Sequence, residues 1–349
     1  MLKVVQWATG NVGREAVAAV HTHADLEVAG AFVYDGAKAG RDVGEVCGIG
    51  PIGIVATDHR DEILALDADC VLYMAQGEMD PDGALDDICS LLESGKNVVS
   101  TAVTSLIYPK AAGAEVVDRL QSACRTGSVS FHGTGIEPGW AGEVLPLTMS
   151  GILGRVESIT VQELMDYSTY DVAGMMTDIM GFGLPPDAEV PLADPELAAG
   201  VFRAPLLMVA DGLGAEVERF EYRREVAVAT GPVVAKFGTV EAGTVSAQRF
   251  SCSAVVAGRE ALTIEHITRI GPDQAPDWPT GRGWRVTVEG EPSMVLDSRI
   301  AVHGEDDTRQ GCLGTAMHAV HAIVPVCAAE PGIRTFLDLP MICGRGVLG

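Results

Sequence analysis

The opening stretch MLKVVQWATGNVGREAV (residues 1–17) decides the fold of this chain of 349 residues. An apolar run over Lys3 to Ala8 predicts a strand, and the residues from Val12 onward follow a helical pattern. The turn between them, ATGNVG at residues 8–13, matches Gly-x-Gly-x-x-Gly except that its first position is alanine. Such a glycine pattern carries weight only between a strand and a helix, and here it has both neighbours.

This turn is predicted to hold the pyrophosphate of a dinucleotide. Gly10 lets the backbone approach the phosphates, and Gly13 lets the helix pack close to the strand. The first amides of the helix then face the phosphates with the positive end of the helix dipole. Alanine is the smallest replacement for the first glycine, and we expect Ala8 to be in an ordinary extended conformation. The alternative is a tight turn without a ligand; the predicted contacts are Ala8, Thr9, Gly10, Asn11, Val12 and Gly13.

The composition excludes several classes of protein. The net charge of -24, from 24 Lys+Arg against 48 Asp+Glu, repels phosphate backbones and anionic lipid surfaces. Neither nucleic acid nor a membrane is therefore expected as a partner. We see no signal-peptide pattern and no stretch near the ~20 apolar residues that span a bilayer. The eight cysteines are scattered without a Cys-x-x-Cys pair, which is typical of a reduced cytoplasmic chain and predicts neither a disulfide framework nor a metal site.

The pattern along the chain predicts an α/β protein of two domains. Short strands alternate with helices in the first part, which indicates a Rossmann-type parallel sheet covered on both faces. Longer strands then predict a second α+β domain with a mostly antiparallel sheet and a hairpin turn at residues 290–292. The predicted boundaries are 1–150 for the dinucleotide-binding domain, 151–308 for the second domain, and 309–349 for a C-terminal helix and tail that return to the first. The strands predicted in the first domain are Lys3 to Ala8, Leu26 to Tyr34, Asp69 to Ala75, Asn97 to Ser100 and Val129 to His132.

Charged residues after the second predicted strand bear on the choice of cofactor. Asp35 lies where an acidic side chain accepts hydrogen bonds from the adenosine ribose, which favours NAD. Lys38 and Arg41 follow, and they either neutralise a 2'-phosphate, which leaves NADP open, or are solvated in a loop. Further predicted cofactor contacts are Tyr34, Ala75, Gln76 and Thr101.

Five segments together resemble a known family. They are VVQWATGNVGREAV (4–17), DGAKAGRDVGEVCGIGPIG (35–53), GKNVVSTA (95–102), FHGTGIEPGW (131–140) and AEPGIRTFLDLPMICGRG (329–346). They resemble the 2,4-diaminopentanoate dehydrogenase and amine dehydrogenase group, whose first domain is similar to that of dihydrodipicolinate reductase. The resemblance implies hydride transfer between a nicotinamide and a C=N or C=O carbon of a small or medium organic substrate. It also implies a site in the cleft between two domains and a homodimer built through the second domain.

Two departures from that group bear on the chemistry. Dihydrodipicolinate reductases carry a His-His-x-x-Lys segment that is absent here, so lysine biosynthesis is not expected. Amine dehydrogenases of the group typically have a carboxylate after the GKNVV strand, whereas residues 100–105 (STAVTS) contain no acid. Three hypotheses therefore remain: an oxidoreductase, an enzyme of another class that uses the nicotinamide transiently, and a nucleotide-sensing protein that has lost its catalytic acid.

Glu137 is the predicted replacement for that acid. It lies in GTGIEPGW (133–140), directly after a predicted strand whose carboxyl end should face the cofactor. Pro138 and Trp140 are expected to stiffen the loop and partly exclude water, which suits a carboxyl group that moves protons near neutral pH. The alternative is that Glu137 points to solvent or pairs with an arginine.

A second group of candidates lies in QELMDYSTYD (162–171), at the end of a strand of the second domain. A tyrosine hydroxyl both donates and accepts hydrogen bonds, so Tyr167 is a predicted proton donor and Tyr170 a predicted wall of the substrate pocket. Glu163 is equally suited to a cross-strand ion pair. The other predicted substrate contacts are Thr104, Trp140 and Met175. His132 is a minor active-site candidate, and we expect His318 and His321 to be structural.

Overall fold

The computed structural model describes residues 1–348 of the chain. The chain divides into two compact units, one formed by Met1–Trp140 with the chain from Cys312 onward, and the other by Ala141–Gly311.

The first 140 residues alternate strands and helices. The strands are β1 (Leu2–Trp7), β2 (Leu26–Phe32), β3 (Ala56–Thr57), β4 (Cys70–Tyr73), β5 (Asn97–Ser100) and β6 (Ser130–Gly133). The helices are α1 (Asn11–Thr22), α2 (Val43–Cys47), α3 (Arg60–Ala65), α4 (Pro81–Glu93) and α5 (Ala114–Gly127), with 3-10 turns at Gly77–Met79, Thr104–Ile107 and Pro109–Ala112.

The remaining chain carries six strands of 6–12 residues, three shorter strands and three α-helices. Its helices are α6 (Val144–Ser150), α7 (Pro195–Gly212) and α8 (Asp307–Cys327), with a π-helical turn at Gly174–Ile179 and a 3-10 turn at Pro191–Ala193. Its strands are β7 (Arg155–Asp166), β8 (Arg219–Val228), β9 (Val233–Ala235), β10 (Gly238–Val240), β11 (Val245–Val256), β12 (Arg259–Arg269), β13 (Gly283–Glu291), β14 (Met294–Arg299) and β15 (Gly332–Ile333).

The sheet of the first unit confirms the predicted doubly wound architecture. Its order is β15-β6-β5-β4-β1-β2-β3, and each neighbouring pair is parallel. One face packs against α4 and α5, with Ile88 and Leu120 fully buried. The other face packs against α1 and α8, where Val20 and Ile323 are buried. Because both faces are covered, most positions of the central strands β1, β4 and β5 are buried and apolar.

The second unit contains a six-stranded mixed sheet in the order β14-β13-β7-β12-β11-β8. Only the pair of β7 and β12 is parallel among these five neighbouring pairs, and β13 and β14 form the predicted hairpin. Alternate residues of the strands face one core, which α7 covers with Phe202 and Leu206. The prediction of a second α+β domain with a mostly antiparallel sheet is therefore confirmed.

The stretch DPELAAGVFRAPLLMVADGLGAEVERF (194–220) predicts one helix from its sequence pattern, and this prediction was wrong at its C-terminal end. Helix α7 ends at Gly212, and strand β8 begins at Arg219. Gly214 has a φ of +67°, a conformation that glycine adopts at little cost and that ends a right-handed helix. The chain then continues as the edge strand of the sheet. The apolar pattern alone did not distinguish the end of the helix from the start of that strand.

Two histidines link the returning C-terminal chain to the first sheet. The imidazole of His132 on β6 is fully buried, and its Nδ1 donates a hydrogen bond to the carbonyl of Arg334 over 2.7 Å. His318 of α8 lies with its Nδ1 2.8 Å from the hydroxyl of Thr134. The ring of Phe336 contacts both imidazoles, at centroid distances of 4.9 and 5.4 Å. Burial lowers the pKa of His132 to about 4 and that of His318 to about 3.

This pair predicts a loss of stability in mild acid. Unfolded histidine titrates near ~6.5, so below that pH the unfolded chain binds protons that the folded chain excludes. The stabilisation is complete above about pH 6.5 and is lost as the pH falls towards 4, by up to about 1.4 kcal/mol per pH unit for each histidine. Urea unfolding between pH 7 and 4.5 should show this slope, and His132→Asn, which keeps a donor, should reduce it. The exposed His59, changed to Asn, is the control, and an equal reduction there would contradict the assignment.

Candidate cofactor site and active-site residues

The loops that carry the predicted cofactor residues leave the first sheet from one edge. Backbone hydrogen bonds continue past the ends of the strands at this edge. The amide of Ala8 donates to the carbonyl of Phe32 over 2.9 Å, and the amide of Thr101 donates to the carbonyl of Tyr73 over 3.0 Å. The amide of Thr134 likewise donates to Ser100 over 2.8 Å. The loops after β1, β2, β4, β5 and β6 are therefore brought together at the carboxyl edge, where doubly wound sheets bind their ligands.

The two glycines of the first turn differ in what the protein itself requires of them. A Cβ on Gly13 would lie 2.1 Å from the carbonyl oxygen of Ala8, so α1 can approach β1 this closely only with glycine there. A Cβ on Gly10 would have no atom within 4 Å, and the φ of Gly10 is -77°, which any residue adopts. Neither packing nor conformation explains Gly10. Open space beside the start of a helix is what a bound pyrophosphate needs.

Ala8 corrects the expectation of an extended conformation. Its φ is +72°, in the left-handed region, which costs an alanine about 1–2 kcal/mol. The side chain of Gln6 holds the turn in place, because its Nε2 donates to the carbonyl of Ala8 over 2.9 Å. That carbonyl is the oxygen that closely faces Gly13. The position therefore has the conformation that glycine usually supplies, although alanine occupies it.

The start of α1 fits an anionic ligand. Gly10 is its N-cap and makes no side-chain cap, and the first turn of α1 carries no acidic residue. By comparison, α2, α4 and α7 are capped by Asp42, Asp80 and Asp194, whereas α3 and α5 also lack a side-chain cap. The amides of the first turn of α1 are therefore directed to the open space beside Gly10. These features fit the pyrophosphate of a nicotinamide dinucleotide, whose nicotinamide ring accepts or gives a hydride when it is bound.

The loop after β2 places one predicted cation at the turn. The Nζ of Lys38 lies 3.3 Å from the carbonyl oxygen of Thr9 and 3.4 Å from its hydroxyl. Asp35 is exposed, and its Oδ1 accepts from the amide of Ala37 over 2.9 Å. Arg41 is exposed further along the loop. The structure thus brings Lys38, but not Arg41, to the predicted phosphate turn.

Asp42 organises the rest of this loop. Its carboxylate accepts hydrogen bonds from the amides of Gly44, Ile52 and Gly53 at 2.7–3.2 Å. These amides lower the pKa of Asp42 and hold the loop in one conformation. The sequence offered a signal in the glycines around this aspartate, but the number of amides that it collects depends on the folded loop.

Tyr34 belongs to a hydrogen-bond network at the same edge. Its hydroxyl accepts from the indole Nε1 of Trp7 over 2.9 Å and lies 3.5 Å from a carboxylate oxygen of Asp87. Tyr73 donates to that oxygen over 3.2 Å, and Arg60 forms an ion pair with Asp87 at 2.9 Å. The ring of Tyr34 is 60% exposed, so it presents a fixed aromatic surface beside Asp35.

The loop after β4 brings the carboxylate of Glu78 to residues 100–105, the segment at the end of β5 that contains no acid. Ala75 is half-buried and Gln76 exposed after β4, and Thr101 and Thr104 are half-buried after β5. Glu78 of the β4 loop accepts a hydrogen bond from the amide of Thr104. Sequence reasoning missed this contact, because it searched for an acid within residues 100–105 and not in the neighbouring loop.

Glu137 lies in a loop that folds tightly on itself after β6. Gly139 has a φ of +133°, and a Cβ there would lie 2.2 Å from the amide nitrogen of Gly135. Glu137 and Trp140 are half-buried, and both carboxylate oxygens of Glu137 are shielded from solvent. The geometry thus disfavours the alternative in which this carboxylate points to solvent.

In the second unit, three predicted residues are brought together around the core. Tyr167, Tyr170 and Met175 all pack against it, and the two tyrosine rings are 5.6 Å apart. Tyr167 donates its hydroxyl hydrogen to Glu163 over 2.7 Å. Asp166 points elsewhere, because its Oδ1 accepts from the amides of Ser168 and Gly271.

Sequence reasoning also missed His266. His266 lies on β12, next to β7, and its Nδ1 is 3.6 Å from Oε1 of Glu163 on β7. A single histidine in the pattern EALTIEHITRI gave no signal until the register of the two strands was known. Within residues 1–348, no group of three His, Cys, Asp or Glu side chains is placed to hold a metal ion, and no helix is long and apolar enough to cross a membrane.

The fold, the glycine turn and the loops at its edge define the class of NAD(P)-dependent oxidoreductases. Residues 4–106 match the family described as dihydrodipicolinate reductase, N-terminus, and residues 143–345 match the 2,4-diaminopentanoate dehydrogenase C-terminal domain. The chain belongs to the family of 2,4-diaminopentanoate dehydrogenases and amine dehydrogenases. The resemblance read from the sequence is therefore confirmed.

Individual relatives agree with this assignment. The chain is 36% identical over 356 aligned residues to an amine dehydrogenase of Streptomyces virginiae, covering 100% of this chain and 99% of that protein. It is 24% identical to a 2,4-diaminopentanoate dehydrogenase of Acetoanaerobium sticklandii, covering 92% of this chain and 85% of that protein. The solved structure of an amine dehydrogenase from Mycobacterium smegmatis has the same fold, with a TM-score of 0.79 at 19% identity over 99% of this chain and 97% of the other.

The two glycines predict opposite phenotypes. Gly10→Asp should leave the thermal midpoint near that of the parent, because aspartate is a good N-cap and its Cβ has no atom within 4 Å, but it should abolish NADH binding through repulsion of the phosphates. Gly13→Ala should cost about 1–3 kcal/mol of unfolding free energy, because its methyl group overlaps a backbone oxygen. Calorimetric NADH titration and thermal unfolding distinguish the two effects. Parent-like affinity in a folded Gly10→Asp variant would disprove the phosphate assignment.

Proposed function

We propose that this oxidoreductase transfers hydride between a nicotinamide cofactor and the carbon of a C=N or C=O group in a small or medium organic molecule, with an amine or ketone as substrate. The observation that carries the proposal is the open space at Gly10, beside uncapped amides, in a chain similar over its full length to an amine dehydrogenase. A nucleotide-sensing protein without activity is disfavoured by that full-length similarity. The proposed hydride transfer is tested by following the absorbance of reduced nicotinamide. The assays contain mixed ketones with ammonium, mixed ketones without ammonium, or amines.

For the cofactor, we propose NAD, with NADP as the alternative. Asp35 lies exposed after β2, where its charge would repel a 2'-phosphate. Lys38, the cation that kept NADP open, has its amine at Thr9, which suits the pyrophosphate that both cofactors share. Arg41 is the remaining group that would favour NADP.

Two substitutions in this loop test the cofactor assignment. Asp35→Ala should weaken NADH more than NADPH, because it removes a ribose acceptor and a charge that repels the 2'-phosphate. Lys38→Ala should weaken both to a similar extent, since its amine lies at the shared pyrophosphate turn. Dissociation constants from protein fluorescence give the two ratios. An equal loss of both cofactors in Asp35→Ala would show that Asp35 does not read the ribose.

The proposed catalytic residues are Glu137 and Tyr167. Interconversion of an amine and a ketone moves protons at two atoms, at the nitrogen and at the oxygen of the water that enters or leaves. We assign Glu137 to the water oxygen, which its solvent-shielded carboxylate supports. The proposed substrate contacts are Thr104, Trp140, Tyr170 and Met175. That the substrate lies in the cleft between the two domains is implied by the family resemblance alone.

The same resemblance supports a homodimer built through the second domain. A cytoplasmic location is part of the proposal, and the eight cysteines, all free thiols, support it. Neither statement enters the chemistry proposed for the site.

The Glu137→Gln variant should fold like the parent but lose most of its catalytic activity. Glutamine keeps the shape and hydrogen bonding of the side chain but loses proton transfer, which is worth about 10²–10⁴ in rate. The turnover number with a verified substrate should fall by that factor, whereas cofactor affinity should hardly change. Glu93→Gln, an exposed change at the end of α4, is the control. Near-parent turnover in Glu137→Gln would remove Glu137 from the mechanism and leave Glu78 or Tyr167 as the proton-transfer group.

A further inference from the structure

Glu163 is a buried carboxylate held by three side chains of the second unit. It is only 6% exposed, on strand β7. Its Oε1 accepts from the hydroxyl of Tyr167 at 2.7 Å and lies 3.6 Å from Nδ1 of His266. Its Oε2 accepts from the indole Nε1 of Trp284 at 3.3 Å. A buried carboxylate costs several kcal/mol unless it is paired or hydrogen-bonded, and Glu163 meets this cost with hydrogen bonds from two neutral donors.

The register of the sheet shows that the partners of Glu163 are unusual. His266 lies opposite Glu163 on β12, and the neighbouring Glu265 lies opposite Gln162, so these two pairs face opposite sides of the sheet. Glu265 is equally buried, but it forms an ion pair with Arg249 at 2.7 Å. Burial lowers the pKa of His266 and favours the neutral imidazole, against the smaller opposing effect of the charges of Glu163 and Glu265. The side chains that contact Glu163 are therefore neutral, whereas Glu265 has a cation.

The surroundings of this cluster contain few other charges. His266 faces Glu163 from β12, Trp284 faces it from β13, and Tyr167 from the end of its own strand. The rings of Phe202 on α7 and Phe250 on β11 close around His266 at centroid distances of 4.9 and 5.2 Å. Glu265 is the other charged group that acts on His266. Protonation of Glu163 would therefore remove a buried charge without breaking an ion pair with lysine or arginine.

Tyr167 links this carboxylate to the position predicted for the substrate. A phenol that donates its hydrogen to a carboxylate keeps acceptor capacity on its oxygen, so it can take one proton while it passes on its own. An amine arrives at neutral pH as an alkylammonium ion, and it must lose a proton before hydride can leave its carbon. Tyr167 alone cannot accept that proton at neutral pH, because the resulting species would be a protonated phenol.

We propose a proton relay in which Glu163 takes up a proton from the substrate amine by way of Tyr167. In the oxidative direction an N–H bond of the alkylammonium breaks, and its proton forms a new O–H bond at Tyr167. The original hydrogen of Tyr167 moves to Oε1 of Glu163, so the amine becomes neutral and Glu163 becomes a neutral carboxylic acid. The reductive direction reverses these transfers. The inference rests on the proposed function, within which Glu137 serves the oxygen and Tyr167 the nitrogen.

The kinetic test compares Glu163→Gln and Tyr167→Phe with Glu265→Gln as the matched control. In the parent, kcat/KM for amine oxidation should fall as the pH is lowered, because Glu163 must be ionised to accept the proton. This fall is the acidic limb of the pH profile. Glu163→Gln should lower kcat/KM by about 10²–10⁴ and lose that acidic limb. Tyr167→Phe should do the same, while Glu265→Gln, on the opposite side of the sheet, should keep the limb. A folded Glu163→Gln that keeps either the parent rate or the acidic limb would overturn the relay.

A second readout needs neither cofactor nor turnover. The indole N–H of Trp284 donates to Glu163, so its nitrogen-15 NMR resonance should move when Glu163 takes a proton. The four tryptophans give few indole signals, and Trp284→Phe assigns this one. The resonance should shift with pH and on addition of butylammonium chloride in the parent, but not in Glu163→Gln. A resonance that responds neither to pH nor to butylammonium chloride would overturn the relay.

The two readouts separate failure of the relay from failure of the proposed function. If the parent consumes no cofactor with any ketone or amine, the proposed function fails, whatever the indole resonance does. If the parent turns over amines and the indole resonance of Trp284 titrates together with kcat/KM, the relay is supported. If the parent turns over amines and the two variants keep the acidic limb, the relay fails and the proposed function stands.

Discussion

The contact between the carbonyl of Ala8 and the α-carbon of Gly13 is the constraint on which the cofactor site depends. It brings α1 so close to β1 that no Cβ fits at residue 13, and it holds residue 8 at a positive φ. With the helix in that position, its first amides open onto the space beside Gly10. The protein thus accepts a strained alanine in order to direct the start of a helix at a ligand.

Much of the fold was predictable because its determinants are local. Alternation of short apolar strands with helices sufficed for the parallel sheet, and the turn at residues 290–292 sufficed for the hairpin of β13 and β14. The conformation of Ala8 was not predictable in this way. The motif predicts which residues meet the cofactor, and the positive φ of Ala8 follows from the packing of α1 and from the hydrogen bond made by Gln6.

The site was predictable only where neighbours in sequence are neighbours in space. The contact of Lys38 with the turn at Thr9 joins two residues that were predicted to contact the cofactor, whereas the contact of Glu78 with Thr104 joins loops separated by 26 residues. His266 meets Glu163 only through the parallel register of β7 and β12. Single acidic or imidazole groups carry no signal in a sequence until the strands that bear them are paired. Long-range pairing therefore sets the limit of what one sequence can show.

The pairing of β15 with β6 has a consequence for synthesis on the ribosome. Helix α8 and β15 come from the last part of the chain, yet α8 supplies Ala319 and Ile323 to a core shared with Val4 and Val20 near the start. The first residues to emerge therefore cannot complete their core until almost the whole chain has been made. The middle unit has all its strands from one continuous segment and can fold earlier. Premature termination near residue 311 would leave that unit foldable and the nucleotide-binding unit open on one face.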